Sequence, residues 1–132
     1  MSHHAESGAV STFLAVLALA LLAAVGLVTD GGRKVNALRE ASQLADNAAR
    51  AGAQAVDLDT LRSDGDIALL PDEAEQAVRN YLAVVGQTAT EVVVAGDTIS
   101  VTVEITFDPL LLPTGPITVT ATETATAVTE EP

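Results

Sequence analysis

Four aspartates lie close together in one polar segment of the chain, and carboxylate oxygens are ligands that Ca²⁺ prefers in proteins. They are Asp57, Asp59, Asp64 and Asp66, within the stretch DLDTLRSDGDIALL. Their spacing does not match an EF-hand loop, which needs a third ligand two residues after the second and a glutamate at its far end. Two alternatives remain, a solvated acidic loop with a turn over residues 63–66, which we favour, and a calcium site.

Few other residues suggest chemistry. The histidines are His3 and His4, in a polar leader, and the chain has no cysteine, so neither a thiolate metal site nor a disulfide can form. There is no glycine-rich phosphate loop, and no sequence pattern pairs a nucleophile with a base. The sequence therefore predicts a protein that is not an enzyme and that holds no cofactor.

The charge and composition exclude one class of partner and restrict the core. The 132-residue chain has a formal net charge of −12, which argues against a nucleic-acid partner. Aromatic residues make up only 2% of the chain, so its core must be built from alanine, valine, leucine and isoleucine.

The element that must position everything else is an apolar run, Ala9 to Val28, which contains no charged residue. A helix that rises about 1.5 Å per residue needs about 20 residues to cross a hydrocarbon layer about 30 Å thick. The run therefore predicts a transmembrane helix over residues 9–28, after a polar leader over 1–8. A cleaved signal peptide and a buried helix are the alternatives; the leader lacks the lysine or arginine of a signal peptide, and the run is longer than its apolar core.

The helical pattern continues beyond the membrane over residues 29–57. Small and apolar residues recur there at alternating steps of three and four, which places them on one face of a helix. We predict that this face packs closely against a partner element through Val35, Leu38, Ala45, Ala49, Gly52 and Val56.

Residues 58–132 predict a small α+β domain. A second helix begins at Pro71 with acidic residues in its first turn, and Gly86 ends it. A continuous valine run then predicts a strand over 91–94, and period-two alternation predicts strands over 98–107 and 117–128, with a hairpin turn between the first two. The predicted fold class is α+β: a long N-terminal transmembrane helix continues into a domain with a second helix and a three-stranded antiparallel sheet, whose apolar face the small-residue stripe covers.

Two further features have structural interpretations. Glu123 interrupts the apolar face of the last strand, which suggests an edge-strand charge or a partner for Arg39 or Arg50. Ala20 and Ala24 have the small-xxx-small spacing of helix pairs in membranes, a weak signal in so alanine-rich a run.

The N-terminal half resembles a known family. The residues that carry the likeness are Glu6 to Ser11 before the apolar run, Gly26 to Arg33 at its end, and the Ala48 to Ala53 stretch. Together they resemble the N-terminal segment of TadE/TadG-like proteins, the pseudopilin-like components of Tad (Flp) pilus systems. The likeness covers about residues 6 to 56.

The resemblance implies a pilin-like, exported, single-pass protein that takes part in assembling a surface filament. Its partners would be membrane lipid and other pilus or pseudopilin subunits, including further copies of itself. Some members resemble substrates of a prepilin peptidase, which here would cut between Gly8 and Ala9. TadE-type pseudopilins carry a glutamate about five residues after that cut, where this chain has Thr12 and Phe13, so the chain leans towards the TadG-like side.

Two indications of membrane orientation conflict. Arg33, Lys34 and Arg39 follow the apolar run, so the positive-inside rule would place the C-terminal domain in the cytoplasm. The resemblance implies an extracytoplasmic domain, and we follow the resemblance. The alternative function is a membrane-tethered extracytoplasmic binding module, whose acidic loop or threonine-rich sheet would recognise a ligand.

Overall fold

The structure is a computed structural model that describes residues 3–128, with side chains described from Gly8 onwards. The elements of this part of the chain are α1 (His3–Gly52), α2 (Leu58–Asp64), α3 (Pro71–Val84), β1 (Ala89–Ala95), β2 (Thr98–Phe107) and β3 (Ile117–Thr126). The predicted α+β class, with a long apolar N-terminal helix and a three-stranded antiparallel sheet, is confirmed.

The chain forms two compact units, each made of two separate parts of the sequence. Unit 1 comprises Met1–Val35 and Phe107–Ile117, and unit 2 comprises Asn36–Thr106 and Thr118–Pro132. The predicted segments 9–28, 29–57 and 58–132 follow the chain in order, whereas unit 1 combines the apolar helix with a loop that comes some 80 residues later.

In unit 1 the apolar run is helical and its large side chains are exposed. Phe13, Leu19 and Leu22 are each more than 60% exposed. Among the described residues, one helix is long and apolar enough to cross a membrane, with a mean hydropathy of 2.5 over an 18-residue window of which 6% is buried. Length and composition alone carry this result, and a signal sequence near the N-terminus would pass the same test.

Unit 2 has a core built from small and branched aliphatic side chains. Helices α1 and α3 both contribute to it, together with the inner face of β2. Its buried members are Ala45, Ala48, Ala49, Leu69, Ala74, Val78, Leu82, Ile99, Val101, Val103 and Ala127. Because alanine side chains are so short, the backbone of α1 lies close to its neighbours, which compensates for the shortage of large core residues.

The sheet has the order β1-β2-β3, and β1 pairs antiparallel with β2 so that Val92 lies opposite Val101. Burial alternates along β2 and β3, as the period-two pattern predicted. On the outer face, threonine hydroxyls pair across β2 and β3: Thr102 with Thr122 at 2.9 Å and Thr106 with Thr118 at 2.8 Å.

The segment predicted as a loop over residues 57–70 contains a short helix instead. The Asp57 carboxylate caps α2 by accepting hydrogen bonds from the N–H groups of Asp59 and Thr60, and Gly65 ends the helix with a φ of 74°. The prediction was wrong here because a seven-residue helix has no hydrophobic periodicity and depends on its two caps.

Helix α3 begins at Pro71, as predicted from the preference of proline for the first helical turn. It ends in a Schellman motif: Gly86, with a φ of 71°, donates to the Ala83 carbonyl, and Gln87 donates to the Leu82 carbonyl. This cap returns the chain directly towards β1.

Helix α1 ends at Gly52, five residues before the predicted end near Asp57, and other residues of unit 2 surround this glycine closely. A Cβ atom added at Gly52 would lie 2.5 Å from Ile99 Cδ1, 3.0 Å from Val78 Cγ2 and 3.2 Å from the Ala74 carbonyl oxygen. Ile99 and Val78 are fully buried, so neither can move aside freely.

We expect Gly52→Ala to lower the free energy of unfolding. Overpacking costs about 1–3 kcal/mol, which outweighs the gain of about 1 kcal/mol in helix propensity. The matched control is Gly31→Ala, because an added Cβ there meets nothing within 4 Å, so the propensity gain should appear alone. Reversible chemical denaturation of both variants in detergent measures the difference, and equal stabilisation by both substitutions would contradict this packing.

Candidate functional site at the end of the apolar run

A buried carboxylate lies just after the apolar run. Asp30 is 3% exposed, and its Oδ1 accepts a hydrogen bond from the Leu110 N–H at 2.7 Å. Its Oδ2 accepts from the N–H groups of Leu111 at 3.1 Å and Leu112 at 2.8 Å. Burying a carboxylate is costly unless hydrogen bonds replace its water, and three consecutive backbone donors do so here.

Two neighbouring residues of α1 also hold the loop Asp108–Pro116, which we call the proline–leucine loop. Arg33 donates from an Nη atom to the Asp108 carbonyl at 2.9 Å. On the other side of Asp30, a Cβ added at Gly26 would lie 3.3 Å from Leu111 Cβ, which is tighter than ordinary contact. Gly26, Asp30 and Arg33 therefore form three attachment points along two turns of the helix.

The hydrogen bonds also change the acidity of Asp30. The Leu110 N–H is the largest influence, and with the N–H groups of Leu112 and Leu111 it lowers the pKa of Asp30 below its ordinary value, against the opposing effect of desolvation. The nearby Arg33 charge acts in the same direction. The carboxylate is therefore ionised at neutral pH while it holds the loop.

The sequence indicated the α1 residues of this site but not the loop that binds them. Gly26, Asp30 and Gly31 were part of the family resemblance, but nothing in the sequence assigned a partner to Asp30. For the loop, the sequence indicated only a connection between the predicted strands over 98–107 and 117–128. The one signal was that three consecutive leucines between prolines are unusual in a connection exposed to water.

The four aspartates of the acidic segment do not converge on a cation. Asp57 is occupied as the cap of α2, where the Thr60 hydroxyl donates to it at 2.7 Å and is the main reason that its pKa is lowered. Asp59 lies 3.5 Å from Arg62, and both side chains are largely exposed, while Asp64 and Asp66 are exposed. Within residues 8–128, no group of three or more potential ligands could hold a metal ion.

The predicted packing face of α1 differs from the buried face at its N-terminal end. Ala45, Ala49 and Gly52 are buried and Val56 is half-buried, but Val35 and Leu38 are 47% and 44% exposed. Ala41 and Ala37 are buried in their place. The buried face at this end of the helix therefore runs through Ala37 and Ala41 rather than through Val35 and Leu38.

Glu123 bonds to α1, but to neither predicted arginine. Its Oε1 accepts a hydrogen bond from the Ser42 hydroxyl in a partly buried position. Arg50 pairs instead with Asp46 one turn earlier on its own helix, at 3.0 Å. The partner of Glu123 on α1 is therefore the Ser42 hydroxyl, and not Arg39 or Arg50 as predicted.

The predicted processing site and membrane pair lie on an exposed helical surface. Gly8 and Ala9 are exposed, and the Thr12 hydroxyl donates to the Gly8 carbonyl at 2.9 Å. Ala20 and Ala24 are exposed as well. These positions are accessible in the folded chain, while cleavage after Gly8 and helix pairing through the alanines stay predictions.

Unit 2 has a groove of about 540 Å³ between α3 and β1. Its charged lining residues include Glu75 and Arg79, which bond to each other, and Glu91. Since the one cation among the residues that line the groove is already paired, the groove offers no free positive charge for an anionic ligand.

We expect Asp30→Asn to release the proline–leucine loop. An amide oxygen accepts more weakly than a carboxylate, and the substituted side chain cannot serve three donors equally. Hydrogen exchange of the Leu110, Leu111 and Leu112 amides at neutral pH measures the effect, and their protection should fall. The matched control is Asp64→Asn, an exposed site with the same charge change, and equal protection in both variants would contradict the contact.

Lowering the pH should release the same loop. Because the folded-state pKa of Asp30 is depressed, the stabilisation is complete above the ordinary value of 3.8 and is lost as the pH falls through the lower folded-state pKa. The amide proton shifts of Leu110 and Leu112 should titrate together below pH 3.8. The same resonances in Asp30→Asn should not move, and a titration that persists in this variant would assign the transition to another group.

Comparison with known proteins bears on this N-terminal part of the chain. Neither a curated protein nor a solved structure matches the chain. Residues 8–55 match the model of the family described as Putative Flp pilus-assembly TadE/G-like. The match confirms the resemblance predicted from the sequence, and it covers the apolar run, the attachment points of the loop and the buried face of α1.

Proposed function

We propose that this protein is a structural, membrane-anchored component of a Tad/Flp-type pilus or of its assembly machinery. Its apolar helix lies in the membrane, and its C-terminal α+β domain lies outside the cytoplasm. Its partners are membrane lipid and other pilus or pseudopilin subunits, among which further copies of this chain are included.

One coincidence carries the proposal. The segment that matches the pilus-assembly family, residues 8–55, coincides with almost the whole of a single helix whose first half is apolar and exposed. A helix that buries so little apolar surface within its own chain is suited to lipid or to neighbouring helices.

Deleting the gene from the native host should remove the surface filaments seen by electron microscopy, and the full chain should restore them. Complementation by Leu19→Arg should fail, because a charge at the centre of a membrane helix costs about 3 kcal/mol. The matched control Leu19→Ile should restore the filaments. Unchanged filaments in the deletion strain, together with recovery of the chain from the membranes of the parent strain, would favour the binding module instead.

The N-terminus of the chain isolated from the host envelope distinguishes two versions of the role. A chain that begins at Ala9 has been processed and fits a subunit that enters a filament. A chain that keeps its leader fits a permanent membrane component of the machinery, in agreement with the lack of a glutamate near Thr12. Intact-mass measurement separates the two forms directly.

The orientation can be tested with one introduced cysteine, because the chain has none of its own. Thr120 is exposed on the outer face of β3, so Thr120→Cys should react with a membrane-impermeant maleimide in intact spheroplasts. The cysteine-free parent chain is the control for background labelling. Labelling only after lysis would place the domain in the cytoplasm, as the basic residues after the apolar run favour.

A further inference from the structure

The proline–leucine loop exposes apolar side chains beside the end of the apolar run. Leu110 and Leu111 are 64% and 53% exposed, although the amide groups of both residues are fixed to Asp30. On the adjacent helix, Leu27 follows Gly26 directly and is also exposed, at 64%. Unit 1 therefore exposes apolar side chains both on the helix and on the loop that packs against Gly26.

The attachment points fix the depth of this loop along the helix. Leu111 lies against Gly26, which precedes the end of the run at Val28 by two residues, or about 3 Å along the axis. Asp30, which binds the loop amides, lies about 3 Å beyond that end. The headgroup region on each side of the hydrocarbon is several ångströms thick, so the loop lies at the boundary between hydrocarbon and headgroups wherever α1 spans the bilayer.

The backbone of the loop is suited to such a place, since an unpaired N–H group is costly in a region poor in water. Pro109, Pro113 and Pro116 have no N–H group. The N–H groups of the three leucines donate to Asp30, and that of Thr114 donates to the Leu112 carbonyl at 2.9 Å. The donors that would oppose contact with lipid are therefore mostly removed or satisfied within the loop.

From these observations we propose that the proline–leucine loop is a second membrane-binding element, which inserts Leu110 and Leu111 into the interfacial region of the bilayer beside α1. The hydrogen bonds from the loop amides to Asp30 hold the loop at this depth. The occupant of the surface is lipid because the loop packs against Gly26 of the apolar run. The inference rests on the proposed membrane anchoring of α1, but adds a contact that anchoring alone does not require.

The absence of tryptophan in the chain makes a direct test possible. The full chain carrying Leu110→Trp is reconstituted into phosphatidylcholine vesicles whose acyl chains are brominated either near the headgroups or near the chain ends. We expect strong quenching by the shallow bromines and weaker quenching by the deep ones. Leu19→Trp, at the centre of the run, should show the reverse order and reports on the anchoring itself.

The matched control combines Leu110→Trp with Asp30→Asn. Weakening the hydrogen bonds between residue 30 and the loop should reduce quenching of the introduced tryptophan by bromolipid. It should increase quenching by aqueous iodide, because the loop is no longer held at the interface. If Leu110→Trp disturbs the fold, Leu110→Cys carrying a nitroxide label gives the same depth from its relative accessibility to oxygen and to a water-soluble nickel complex.

Three results would overturn the inference. Quenching of Leu110→Trp by iodide alone, with Leu19→Trp still quenched by bromolipid, would place the loop in water and leave the anchoring intact. Protection of Leu110→Trp from both quenchers would mean that protein, such as a second copy of the chain, covers the leucines. Failure of bromolipid to quench Leu19→Trp would remove the anchoring and the inference together.

Discussion

Three hydrogen bonds to one carboxylate hold the proline–leucine loop against α1 just after the apolar run. Asp30 accepts from three consecutive amides of a loop that follows it by some 80 residues, so a polar side chain that would otherwise remain hydrated is buried and paired. A carboxylate in a helix exposed to water would need no such partner. The face of α1 that carries Asp30 is therefore covered by the proline–leucine loop instead of by water.

The second constraint is the shortage of large core residues. With aromatic side chains almost absent, unit 2 gains its packing from short distances, as at Gly52, where atoms of α3 and β2 leave no room for a Cβ atom. The alanines of α1 serve the same purpose along the helix. Such a core tolerates added volume poorly. The small residues of α1 must therefore stay small for the fold to be stable, even though they carry no chemistry.

Local patterns in the sequence predicted what depends on local patterns. Length and apolar composition identified the apolar run, Pro71 and Gly86 marked the ends of α3, and the period of two identified β2 and β3 with their buried faces. Helix α2 was missed because its existence depends on Asp57 and Gly65 rather than on periodicity. The partner of Asp30 could not be predicted, because no local rule connects a carboxylate to amides so far along the chain. The burial of Ala37 and Ala41 in place of Val35 and Leu38 likewise depends on tertiary packing rather than on the local sequence pattern.

The residues on which the family resemblance rests acquire a common explanation from these contacts. Gly26 lies against Leu111, Asp30 binds the amides of residues 110–112, and Gly52 lies against Val78 and Ile99. All of these partners lie outside the matched segment, residues 8–55. The matched segment is therefore not self-sufficient, because it packs against the C-terminal part of the chain. Gly26, Asp30 and Gly52 all make their contacts with the C-terminal part of the chain. Any other C-terminal domain joined to this helix would need a loop whose N–H groups bind Asp30, and an apolar surface that packs against Gly52.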